Sequence, residues 1–393
     1  MRLLFTCRRT CLPERTETSE KIGVISCNGT GESFIDFGRF HIPDVVAWYK
    51  DEVFPDGRRF LVMSHHFLRA ISRTVPFNQT VSVKLWIYDL SSDQLTPVDV
   101  YGGVDSASCN NVTLAPGGHR LLAGIAIDND VIWTEMDLDG RNRKAITRPG
   151  DGFSHTPRFS PDGQRLVTEF YVGNPGTRVV VMDCNGENRV AFPGRRGDYH
   201  FQPVWSPDGK WIAYVNYRHE EDPGHDTADI CIARPDGSDQ QFLTQNRPFW
   251  LSALYGNRET YGSGSNPVRW LPDGRNLTFI RLKPGSRTAW SLAENPKYDD
   301  HFGRDYHPEQ ARGGTDVCLL DAFTGKVRDL TSNPDGVWDF RVLPSTDGKL
   351  ITFCRARVGE AAGLHVMNVD GSGQTFLSRG YADKGADHPA WIA

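Results

Sequence analysis

Pro203-Val204-Trp205-Ser206-Pro207-Asp208-Gly209-Lys210-Trp211-Ile212-Ala213-Tyr214-Val215 reads as a strand, a tight turn and a second strand. Proline at 207 presets φ, Asp208 can bond its own backbone, and Gly209 accepts the positive φ that closes the turn. The same turn recurs as Phe54-Pro55-Asp56-Gly57, Ala115-Pro116-Gly117-Gly118, Ser160-Pro161-Asp162-Gly163, Leu271-Pro272-Asp273-Gly274 and Thr346-Asp347-Gly348. The last glycines of the six turns lie 61, 45, 46, 65 and 74 residues apart. The short spacings match one four-stranded propeller blade of about 40–45 residues, and the long ones are that unit plus insertions.

Each turn has the same flanks. Apolar and aromatic residues precede it (Pro157-Arg158-Phe159, Val268-Arg269-Trp270), and an alternating apolar run follows (Leu277-Thr278-Phe279-Ile280). A third strand ends in a second turn, as in Asp139-Gly140, Asn185-Gly186, Asp236-Gly237 and Asp370-Gly371, and a fourth strand closes the unit. Such a unit cannot bury both its faces alone, so units must stack radially. Six units fill about residues 44–380; His388-Pro389-Ala390-Trp391 is a first strand without a turn, and Lys21–Ser26 and Ser33–Phe37 are strands without a first one. Joining them predicts an all-β, seven-bladed β-propeller of four-stranded antiparallel blades, closed by N- and C-terminal strands sharing one blade. Residues 1–20 are read as a poorly ordered extension and residues 21–393 as one propeller domain.

Composition narrows the partners. The 393 residues carry a net charge of −5, which disfavours a nucleic-acid binder, and no apolar run reaches the ~18–20 residues of a membrane span. The eight cysteines show no tight pairing and read as small buried hydrophobes. The N-terminal apolar stretch is too short for a secretory signal, so the cytoplasm is the expected compartment.

The long insertions, 64–82, 217–227, 245–265 and 283–315, all fall in loops on one face, and nine of the twelve histidines lie on or at the edge of it. His155, His200 and His388 stand at first-strand starts, where they would surround a central channel. Imidazole, guanidinium and phenol groups around a channel suit an anionic ligand. One reaction that uses this set is β-elimination from a uronic acid: a base takes the proton beside the carboxylate, a cation neutralises that carboxylate, and an acid serves the leaving oxygen. The expected catalytic set is His200 or His155 as base, Arg218 on the carboxylate, and Tyr199 or Tyr217 for the leaving group. Arg247, Asn266, Trp250, His301 and His307 are the expected substrate-binding residues.

The Ser-Pro-Asp-Gly turns after an aromatic, with a later Asp-Gly turn before Leu-Thr, resemble the TolB-type propeller repeat over nearly the whole chain. With the terminal His388-Pro389 strand, the chain is similar to the oligogalacturonate lyases, seven-bladed enzymes that cleave pectic oligosaccharides. The resemblance implies an acidic oligosaccharide substrate and a divalent metal, Mn²⁺ or Ca²⁺, held in that family by three histidines and a glutamine. Only His388 matches that set; Ala386 stands where the family's His-Pro-His run has its other histidine. The alternative is a non-catalytic TolB-like propeller that binds a protein or glycan. A serine hydrolase is disfavoured, because the Gly-x-Ser-x-Gly elbow is absent.

Overall fold

The computed structural model describes residues 1–7, 21–40, 53–67, 81–100, 108–127, 130–151, 157–171, 176–218, 227–257, 260, 262–292, 304–382 and 385–393. Among these the regular elements are strands, apart from 3-10 turns at Phe37–Phe40 and Pro308–Gln310. No helix among them is long and apolar enough to cross a membrane.

The repeated turn explains the repeated hairpin. In three copies the serine hydroxyl donates to the aspartate (Ser160 to Asp162 at 2.5 Å, Ser206 to Asp208 at 2.6 Å, Ser345 to Asp347 at 2.7 Å). The same hydroxyl accepts the backbone N–H opening the next strand, from Arg165, Trp211 and Leu350, each at 2.9 Å. A second device anchors the third strand. The threonines of the later Thr positions, Thr147, Thr244 and Thr331, accept N–H bonds from Trp133, Ile230 and Val317 at 2.8–2.9 Å. The glycine of the second turn is needed for contact as well as for φ. A Cβ on Gly140 or Gly186 would come within 2.1 Å of the carbonyl oxygen of Asp99 or Ile146 in the preceding unit.

Antiparallel hairpins follow in series. Arg59–Phe67, Val81–Asp89 and Gln94–Val98 form a three-stranded sheet, which Val53 extends by a bridge to Phe60. Ser108–Leu114, Arg120–Ile127, Asp130–Asp137 and Lys144–Ala145 make a four-stranded sheet, as do Val337–Pro344, Leu350–Arg357, Gly363–Asn368 and Thr375–Ser378. Between them lies a mixed sheet of 13 strands, its antiparallel hairpin sets joined by a parallel bridge from Thr177 to Tyr199 and by Phe249–Trp250.

The termini meet in one sheet, ordered Ser33–Ile35, Lys21–Ser26, Arg2–Cys7, Asp387–Ile392. Residues 2–7 therefore belong to the fold, where the sequence reading left them in an extension. Leu3, Leu4 and Phe5 are all fully buried, as a strand covered on both faces requires. This terminal sheet packs Leu3 and Phe5 against Phe340, Phe353 and Leu364, and Leu4 and Ile392 against Phe60 and Val62. It thus shares apolar cores with both the last and the first hairpin units. Polar links repeat between neighbours: the indole N–H groups of Trp205, Trp270 and Trp391 donate to the carbonyls of Arg158, Val204 and Leu343 at 3.2–3.3 Å.

Candidate functional site

Among the described residues, three first strands combine a register shift with a positive φ at the bulged residue. The pairing shifts register between Phe201 and Val204, between Phe340 and Leu343, and opposite Leu4 and Thr6, where Asp387 and Ala390 are the partners. The bulged residues Gln202, Arg341 and His388 have φ of 54°, 56° and 47°. None is glycine, so each sits in a left-handed conformation that costs an L-residue roughly 1 kcal/mol or more, a kind of strain that concentrates at functional sites.

Two of these residues meet at one carboxylate. Asp387 is buried, with 1% of its side chain exposed, and Arg341 lies 3.2 Å from its Oδ1 with 6% exposed. The Tyr255 hydroxyl donates to Asp387 Oδ2 at 2.7 Å, and the His388 backbone N–H donates to Oδ1 at 2.7 Å. His388 Nδ1 stands 3.1 Å from Oδ2, and 15% of its side chain reaches solvent. The Asp387 carboxylate thus stands beside the imidazole as a near negative charge. The cluster is braced from the insertion after residue 245, which folds as a hairpin of Ser252–Tyr255 and Gly262–Ser265. From it come Tyr255, the Ser265 carbonyl that accepts from Arg341, and Asn266, whose Oδ1 accepts the Arg341 N–H at 3.0 Å. Gly264 lies against the guanidinium; a Cβ there would sit 2.3 Å from Nη2.

The expected residues divide into separate groups. Asn266 reaches the cluster, but it is fully buried and its amide donates to the Trp250 carbonyl at 2.9 Å. Trp250 is fully buried too, its ring 5.2 Å from that of Trp338. Both are spent on packing, which corrects their reading as ligand-facing. Tyr217 has no exposed surface and packs among Tyr199 and Phe201, while Tyr199 stacks on Phe201 at 6.0 Å. Burial therefore withdraws Tyr217 from proton exchange with a ligand.

His200 is 1% exposed, with its ring 4.9 Å from Tyr214. Burial, reinforced by the Arg178 guanidinium, pushes its pKa down to about 4. It is neutral at neutral pH yet has no open path to a substrate. Arg218 Nε is 3.0 Å from Asp198, a buried carboxylate that already engages its charge. Arg247 adopts φ 48° and its backbone N–H donates to Asp229 at 3.1 Å. His307 is exposed and 3.2 Å from Glu309. His155 and His301 lie outside the described residues.

The residues that the sequence reading missed are Asp387, Arg341 and Tyr255. Asp387 was visible as the neighbour of His388, and Arg341 as the residue at the same first-strand register.

A divalent metal does not fit this cluster. Asp387 already receives a guanidinium and a phenol, so the cation's place is taken by Arg341. Among the described residues no three His, Cys, Asp or Glu side chains converge as a ligand set.

No family model matches the chain, and no curated protein does. Solved structures do. An oligogalacturonate lyase in complex with manganese superposes with a TM-score of 0.55 at 15% identity, over 84% of this chain and 76% of that one. A puromycin-hydrolyzing peptidase from Mycobacterium tuberculosis gives 0.56 at 13% identity, over 93% of this chain and 50% of that one. TolB from Acinetobacter baumannii matches at 15% identity over 96% of this chain and 81% of that one, with a TM-score of 0.46. The neighbours with a TM-score above 0.5 thus include one of the protein types that the repeat resembles, the oligogalacturonate lyase. At these identities the likeness speaks for the fold, and a propeller fold hosts unrelated activities.

Proposed function

We propose that the chain is a seven-bladed propeller whose N- and C-terminal strands share the closing blade, and that it cleaves acidic oligosaccharides by β-elimination. The ring is supported by the terminal sheet, which shares cores with the first and last units. The chemistry is carried by one observation: a partly exposed imidazole, His388, at a strained first-strand bulge beside the buried Asp387–Arg341 pair.

In this reading His388 Nε2 takes the proton from the carbon beside the uronate carboxylate. The C–H electron pair becomes the new C=C bond, the glycosidic C–O bond breaks, and the leaving oxygen is protonated by water. Asp387, 3.1 Å from Nδ1, steadies the positive charge of the imidazole after proton transfer. Arg341 pairs with that buried carboxylate. His388 replaces His200 in the role of base because it alone of the two reaches solvent.

A second reading, a non-catalytic propeller that binds a protein, has its own support. Val190, Phe242 and Val327 lie on the outermost strands of three hairpin sets and are 38%, 52% and 36% exposed. Incubation with pectic, glucuronan and ulvan-type oligosaccharides separates the two readings, because elimination creates a conjugated unsaturated uronate that absorbs in the ultraviolet. Its appearance favours the enzyme, and its absence with every acidic glycan favours the binding protein.

A further inference from the structure

At one end of the sheet Val337–Pro344, Leu350–Arg357, Gly363–Asn368, Thr375–Ser378 lies a cleft of about 550 Å³. Arg355, Arg357 and Arg379 line it with Glu360, His365 and Phe376, so three guanidiniums face one carboxylate. Arg355 is committed, gripping the buried Asp339 with Nε at 2.6 Å and Nη2 at 3.0 Å. Arg357 and Arg379 are exposed and have no carboxylate partner among the described residues. Phe376 is 48% exposed, a large apolar ring beside those charges. It is held in place from behind, edge-on to His365 at 5.3 Å, and His365 in turn stacks on Phe353 at 5.4 Å. Burial pushes the His365 pKa down to about 4, so the platform behind Phe376 is uncharged at neutral pH.

The Arg379 guanidinium lies 6.0 Å over the Phe376 ring, and an exposed apolar ring beside two guanidiniums that pair with no carboxylate among the described residues matches a ligand that has an apolar face and an anionic edge. A pyranose bearing a carboxylate has both: its axial C–H groups can lie on the ring while the carboxylate receives forked N–H donors. The cleft also adjoins the candidate site. Its wall residue Ala362 accepts the N–H of Ala386 at 2.8 Å, one residue before Asp387.

We propose that this cleft is a subsite for a carboxylate-bearing sugar unit, with Arg357 and Arg379 binding the carboxylate and Phe376 stacking on the ring. It deepens the elimination reading, since it names where an acidic sugar is held, but it is a claim about binding and can be tested without turnover.

The test is calorimetric titration of the full-length His388→Ala protein with trigalacturonate, a neutral trisaccharide, inorganic sulfate and inorganic phosphate. The same titrations are run on Arg357→Ala/Arg379→Ala and Phe376→Ala in that background. Trigalacturonate should bind and the neutral sugar should not. The double arginine change should weaken binding by about tenfold to a hundredfold, and Phe376→Ala by roughly fivefold, with melting temperatures unchanged. Sulfate and phosphate should bind more weakly and be indifferent to Phe376. Equal affinity for the neutral sugar, an undiminished affinity in the double variant, or sulfate binding as tight as trigalacturonate would overturn the subsite. Arginine-dependent binding in a protein that never yields an unsaturated product would keep the subsite and remove the lyase. Turnover with an unchanged KM in the double variant would do the reverse.

Discussion

Replacing Asp387 with alanine strips the carboxylate from a guanidinium that is itself 6% exposed, while Tyr255 and the His388 N–H lose their acceptor. Removing one partner of a buried pair costs about 3–5 kcal/mol, because the remaining charge stays desolvated. At about 2.1 cal/mol/K per residue, 393 residues unfolding as one unit carry an entropy of roughly 0.8 kcal/mol/K, so Tm should fall by about 4–6 °C. Scanning calorimetry with urea unfolding measures both quantities. The decisive control is Asp387→Ala/Arg341→Met, which removes the stranded charge and should recover more than half of the loss. If Asp387→Ala melts within about 1 °C of the parent, or if adding Arg341→Met lowers Tm further by its own full cost, the buried hub is not what holds these strands together.

Deleting residues 387–393 removes the buried Trp391 and Ile392 and uncovers Leu3, Leu4 and Phe5; at about 2 kcal/mol per side chain the Tm drop should reach about 10 °C, measured by circular dichroism. Burial pushes the Glu169 pKa up from 4.5 to about 8, so the folded state holds a proton that the unfolded state has lost. Stability should therefore fall as pH rises from about 4.5 to about 8, and urea unfolding of Glu169→Gln across that window should show a flatter dependence. His200 has the opposite sign: with its pKa lowered from 6.5 to about 4, stability should fall as pH drops through that interval, a loss that His200→Phe should diminish in the same experiment.

The turns and hairpins were legible because proline, aspartate and glycine act through local backbone geometry. The serine and threonine of the repeat were legible too, since each hydroxyl serves a backbone N–H a few residues away or across one hairpin. Arg2–Cys7 was not recognised, although Leu3-Leu4-Phe5 is the short continuous apolar run of a strand buried on both faces. Its partner in the sheet, Asp387–Ile392, lies at the other end of the chain, and local pattern carries no information about that pairing.

The candidate site was legible only at His388. Long loops made Trp250, Asn266 and Tyr217 look available, yet the insertion after residue 245 spends Phe249, Trp250 and Tyr255 in the core. The bulges could not be read, because Gln202, Arg341 and His388 are not residues that announce a positive φ. Arg341 and Asp387 are 46 residues apart, and only the packing of neighbouring sheets brings them together.

The central claim is that His388 is the base of an elimination. Its most direct measurement is the ultraviolet absorbance of the unsaturated uronate, for the parent and His388→Ala, over a panel of acidic oligosaccharides, in chelator and with added Mn²⁺ or Ca²⁺. The account predicts product from the parent in chelator, and a loss of about 10²–10⁴ in rate for His388→Ala at unchanged melting temperature. Product from His388→Ala at the parental rate, or no product from any acidic glycan with or without metal, would contradict it.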